Sequence, residues 1–290
     1  MTVLDLLDQM QTHLGVPWQS QRAGGFSDGV LAGDPYAQVT GILTCFTPTV
    51  EILRHAISSG HNTVICRESP FYSRGEKQPV AYRSGAMPTK ELLESDPVYQ
   101  AKLALINTNS LIIVRFVDNW DARKTDGQLE GLAKAIKWDQ YHLAVKGDKH
   151  FYRPGNNFFS IPPTPLGALA RGMMESLNAR TIRVMGDEHS VVRKAAILHG
   201  LILVPDLQAA FAETGVDLVI AGEPVEWEGA EYVQDMIAAK MAKGAIFLGS
   251  EVSEEPGSGE MATWLKTFVQ LPVQWLPSGS PFTTIPQETK

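Results

Sequence analysis

Residues 39–66 read VTGILTCFTPTVEILRHAISSGHNTVIC. The run 39–46 reads as a buried strand, 48–59 as a helix that Gly60 closes, and 63–66 as a second short apolar strand. A strand, a crossover of about a dozen helical residues and another apolar strand make a βαβ unit, whose two strands lie parallel in one sheet. This unit decides the fold class: α/β, with sheets built from βαβ units.

The unit recurs further along the chain. A gapless slide of 155 residues lays Ile42-Leu43 on Ile197-Leu198, Gly60 on Gly215, Val64-Ile65 on Val219-Ile220 and Glu68 on Glu223. The identities sit at the strand cores, the helix stop and the residue just past the second strand, which is the pattern of a duplicated module. Packing rules shared by all buried βαβ units would produce a similar likeness without duplication.

Outward from these units the pattern continues. Residues 3–14 carry apolar side chains at helical spacing, with Gly15 and Pro17 as the stop. Turns are marked by Gly24-Gly25, Gly29 and Gly33-Asp34-Pro35, and 67–98 reads as irregular. Helix 98–106, strand 111–117 and helix 128–137 follow. The stretch 147–165, with Pro162, Pro163 and Pro165, is the natural break, so the expected lobes are 1–146 and 147–290. The second lobe reads as helix 165–178, strand 181–185, strand 216–221, helix 228–242, strand 245–248, a Gly/Glu loop and helix 259–269. The tail carries Pro272, Pro277, Pro281 and Pro286 and is expected to be extended.

Composition excludes several classes. The chain of 290 residues has a formal charge of −7 and no Lys/Arg run, which disfavours a nucleic-acid partner. The apolar stretches fall far short of the roughly 18 residues that span a membrane. The start, Met1-Thr2-Val3-Leu4-Asp5, has acid where a signal peptide has base. Two cysteines, Cys45 and Cys66, suit a reducing compartment, and the expected location is the cytoplasm. No Walker loop, HExxH or CxxC is present, and the seven histidines are scattered without ligand spacing. The GxGxxA match at 257–262 does not follow a strand directly and reads as a helix-entry loop.

Open parallel sheets bind ligands beyond the carboxyl ends of their strands. In this sequence those positions carry Arg67, Glu68 and Ser69, then Asp118 and Asp121, then Glu223, then Ser250, Glu251, Glu254 and Glu255. Acids gathered at one end of a sheet repel one another unless a cation, an arginine or protons intervene. For any one of them, a solvated loop acid is the plain alternative.

The run Gly33-Asp34-Pro35, Val39-Thr40-Gly41-Ile42-Leu43, the helix, Gly60, a strand and a turn ending in Pro70 resembles the Nif-three-like dinuclear metal-centre family. So do Gly186-Asp187, the segment 217–223, and Gly249-Ser250-Glu251-Val252-Ser253-Glu254-Glu255-Pro256-Gly257, which is similar to the family's GHxxSExPG. The resemblance implies two intertwined, duplicated α/β/α layers with mixed sheets and a toroidal homo-hexamer. It also implies a metal site, at positions that carry Glu68, Ser69, Asp121, Ser250 and Glu254 in this sequence. Histidines have given way there to Glu68, Ser69 and Ser250, and Asp121 and Glu254 remain. An all-oxygen site suits a divalent Mg²⁺, Mn²⁺ or Ca²⁺ ion in preference to Zn²⁺ or Fe.

Two functions follow as expectations. In one, Glu68, Asp121 and Glu254 hold one cation for metal-assisted hydrolysis of a small molecule, with Ser69 and Ser250 completing the sphere and Glu251 or His189 moving the proton. In the other, the protein is a non-catalytic oligomeric binding scaffold, and Arg67 or another cation neutralises the acids. In the first reading Asp121→Ala is expected to abolish metal binding while the fold survives, since a single surface-cleft acid contributes little to the core.

Overall fold

The 39–66 stretch folds as a βαβ unit. The computed structural model describes residues 1–18, 28–72, 94–123, 125–143, 157–283 and 285. The Gly24-Gly25 turn, the boundary at 146/147 and Pro286 lie outside the described residues. The chain forms two compact units, Met1–Arg123 with Ser258–Ser278, and Lys124–Gly257 with Gly279–Lys290.

In the first unit, β2 (Ile42–Cys45), α2 (Val50–Ser58) and β3 (Thr63–Cys66) follow α1 (Val3–His13) and β1 (Gly29–Ala32). Thr2 and Asp5 close a reciprocal capping box at the start of α1. Next come α3 (Pro97–Thr108), β4 (Ile112–Arg115) and the single turn α4 (Asp118–Asp121). The sheet order is β1-β4-β3-β2-β12, where β12 (Val273–Trp275) comes from the tail; β1 runs antiparallel and the rest parallel. Successive strand residues face opposite sides. Ile42, Ile65 and Ile112 therefore meet α1 through Leu6 and Met10, while Leu43, Val64 and Ile113 meet α2 and α3 through Leu53 and Ile106.

The second unit contains α5 (Gly127–Ala135), β5 (Phe158–Pro165), α6 (Leu166–Ser176), β6 (Arg183–Met185) and β7 (Val191–Ile197). It continues through β8 (Leu201–Ile202), α7 (Val204–Ala212), β9 (Leu218–Ala221), β10 (Glu223–Pro224), α8 (Glu231–Ala238) and β11 (Gly244–Phe247). Its sheet order is β5-β7-β9-β11-β6, with β7, β9 and β11 parallel and both edges antiparallel. The long helix α9 (Ser250–Leu265) gives its first half to this unit and its second half to the other.

The two βαβ units agree in detail. Both strand pairs are parallel, and the helix-stop glycines Gly60 and Gly215 have φ of +75° and +78°. The register differs by two residues, since Ile42 pairs with Thr63 whereas Ile197 pairs with Ile220. A shift of two preserves which face each side chain occupies, so the cores tolerate it.

Three segments differ from the sequence reading. The Pro-rich end of the expected break is the strand β5: it lies on the sheet edge, and its register slips between Ser160 and Thr164. An edge with a bulge is where a strand tolerates proline. Helix α9 begins at Ser250 rather than 259, so 250–258 is helix instead of loop and the GxGxxA run lies within it. Gly257 serves packing there, because a Cβ on it would stand 1.8 Å from Gln128 Oε1. Finally, the tail supplies β12, a paired strand, instead of merely lying extended.

Candidate functional site

Chemistry gathers at the carboxyl ends of the strands in each unit. In the first unit, the Asp28 carboxylate accepts from the backbone N–H groups of Val117 (2.8 Å), Asp118 (3.2 Å) and Asn119 (2.8 Å), which anchors the start of α4. Arg115 lies 3.7 Å from Asp28 and 3.4 Å from Asp118 and offsets both. So held, α4 presents Asp121 to Arg67, the first residue beyond β3. Arg67 Nη1 donates to Asp121 Oδ1 (2.9 Å) and Nη2 to Oδ2 (3.1 Å). Only 10% and 5% of these two side chains is exposed. This is the fork-on-fork pairing that suits guanidinium and carboxylate.

The neighbouring positions behave differently. Glu68 is exposed, and its backbone N–H donates to Phe46 O (2.9 Å). Ser69 is buried, and its Oγ accepts from Phe71 N–H (3.2 Å). Lys102, buried on α3, pins this turn by donating to Pro70 O (2.8 Å) and Tyr72 Oη (3.1 Å). Asp121 is no surface-cleft acid. It is buried against Arg67.

In the second unit, Glu254 is buried on α9 beside His199, which stands just past β7. His199 Nδ1 lies 2.9 Å from Glu254 Oε1, and Nε2 lies 3.1 Å from Asp126 Oδ2. All three side chains are nearly inaccessible. Asp126 also caps α5, where its Oδ1 accepts from Gln128 and Leu129 N–H. Burial by itself would push the imidazole pKa down. The charge and hydrogen bond of Asp126, with the hydrogen bond and charge of Glu254, outweigh it and raise the value to about 9. Carboxylates only accept, so a ring that bonds both of them donates from both nitrogens and is an imidazolium.

Gly200 is required beside this chain. Its φ is +63°, and a Cβ would stand 2.9 Å from Glu254 Oε1. Ser253 Oγ accepts from Gly200 N–H (3.1 Å) and donates to Ser250 O (2.8 Å). Ser250 is half-buried at the start of α9. Glu251 is half-buried too, and desolvation, with Glu255 and Glu223 nearby, raises its pKa. His189 is exposed, 3.8 Å from Glu188.

The structure thus gives Asp121 and Glu254 cationic partners of their own, Arg67 and His199. Neither Asp126 nor His199 was among the sequence candidates. Asp126 had a signal, an N-cap residue ahead of a helical pattern. His199 had less, since its partners lie far away in sequence. The five positions where a dinuclear metal centre is implied do not fit two transition-metal ions. They carry two hydroxyls, an exposed glutamate, and two carboxylates already paired with protein cations. Asp126 and His199 do form a buried carboxylate–imidazole pair of the type that could ligate a metal ion.

Comparison with known proteins agrees with the architecture. A Staphylococcus aureus hypothetical protein superposes with a TM-score of 0.70 at 18% identity, over 98% of this chain and 99% of its own. A Bacillus cereus protein related to NIF3 gives 0.67 at 14% identity over 100% and 99%. A Clostridium acetobutylicum GTP cyclohydrolase 1 type 2 homologue is 22% identical over 197 residues, 67% of each chain. No helix among the described residues is long and apolar enough to cross a membrane. The model of the Duf34/NIF3 (NGG1p interacting factor 3) family matches residues 1–271, nearly the whole chain, and this protein belongs to that family.

Proposed function

We propose that this protein is a cytoplasmic NIF3-family binding scaffold that works as a homo-oligomer, a hexamer by the family resemblance, and carries no dinuclear metal centre. One observation carries the reading: the buried carboxylate of Asp121 is held by both terminal nitrogens of Arg67. A buried carboxylate needs a compensating charge, and here a side chain supplies it. Exposed apolar residues such as Trp227, Leu201 and Leu203 suit contacts between copies. Protein purified without chelator or nickel resin is expected to hold well under one metal ion per chain by elemental analysis, and to scatter light as an oligomer. One or more tightly held ions per chain, or a monomer at micromolar concentration, defeats it.

A second reading keeps one divalent ion and a hydrolase-like activity. It is favoured by the buried Asp126–His199 pair, and the Clostridium relative's name points to hydrolysis. It requires His199 to give up a proton, so metal uptake would rise steeply with pH.

A further inference from the structure

We propose that Arg67 is a resident cation, a side chain that occupies the place and carries the charge of an ion at Asp121, so that removing it opens a divalent-cation site. The inference rests on the metal-free reading above and deepens it. It begins with the geometry. The guanidinium is bidentate, nearly inaccessible, and supplied by the first residue beyond a central parallel strand, where such sheets present their ligands.

The surroundings are built to keep Asp121 in place whether or not Arg67 is present. Asp28 fixes the start of α4 through three backbone hydrogen bonds. Lys102 separately pins the turn that follows Arg67 through Pro70 O. Without the guanidinium, the Asp121 carboxylate would stay anchored with no charge partner from residue 67. Hard divalent ions take carboxylate oxygens and complete their spheres with water, which the space vacated by an arginine can admit. The same economy recurs where His199 lies between Asp126 and Glu254.

The test compares the full-length wild type, R67A and R67A/D121N by calorimetric titration with Mn²⁺ and by melting temperature. R67A should bind about one Mn²⁺ per chain at least tenfold more tightly than the wild type. Its melting temperature should rise by about 5 °C in Mn²⁺ at a hundred times Kd. R67A/D121N should do neither. If R67A does not fold alone, refolding it in Mn²⁺ must recover the native far-ultraviolet spectrum. No tighter binding in a folded R67A, or no recovery by Mn²⁺, overturns the proposal. So does rescue of R67A by methylguanidinium with none by Mn²⁺, which would leave a structural salt bridge only. Stoichiometric metal in the wild type overturns the scaffold reading instead, and the tenfold comparison still decides the role of Arg67.

Discussion

The two units neutralise buried acid with different cations, and the difference is one of pH range. In the first unit the charge beside Asp121 is a guanidinium, which stays protonated throughout the accessible range. In the second, the charge between Asp126 and Glu254 is an imidazolium, which does not. The guanidinium itself is therefore indifferent to alkali. The imidazolium holds α5, α9 and the loop after β7 together with a proton that can be removed.

Asp121→Ala provides the largest test of that contrast. It strands the Arg67 charge and should lower unfolding stability by about 3–5 kcal/mol. Denaturant titrations at pH 7 and pH 10 should give nearly the same loss; a loss confined to one of them would break the comparison. His199→Gln should show the opposite behaviour. The folded pKa of about 9 lies above the ordinary value near 6.5. The stabilisation is therefore complete below about pH 6.5 and disappears as pH rises through about 9. The wild type should exceed the variant by about 3 kcal/mol at pH 6, with the gap closing by pH 10. A gap that ignored pH would show that the ring matters by shape alone.

Smaller effects sharpen the likeness instead. Gly60→Ala and Gly215→Ala force the same left-handed backbone at corresponding helix ends, so each should cost about 1–2 kcal/mol. Markedly unequal melting shifts would argue against equivalent roles. The helix starts differ as well. Thr49 Oγ1 accepts from Ile52 N–H at the start of α2, while Leu203 at the start of α7 has no side-chain oxygen to offer. Thr49→Ala should cost about 1 kcal/mol, and Leu203→Ser should gain a few tenths.

Much of this architecture was legible in short apolar runs bounded by glycine, because central parallel strands buried on both faces leave that trace. That is why 42–45, 63–66 and 218–221 read correctly. Strand β5 did not, because proline count argues against a strand and only the finished sheet makes it an edge. Gly257 read as a loop residue because close packing and turn formation both call for glycine. The site was legible only in part. Glu68 and Asp121 both follow strands, yet one is exposed and the other buried, which depends on how α4 is anchored by Asp28. His199 has partners 73 and 55 residues away, and no local pattern announces such a contact.

The division of the chain has a consequence for synthesis. The first unit is interrupted: its β12 and the second half of α9 are translated only after the whole Lys124–Gly257 segment. At roughly 5–20 residues per second, more than a hundred intervening residues impose a wait on the order of ten seconds. Throughout it, β2 presents an unpaired edge and the α1 side of the sheet lacks Met261 and Leu265. The nascent N-terminal sheet is the species a ribosome-associated chaperone would have to shield, and truncation before residue 273 should leave it aggregation-prone however well the rest has folded.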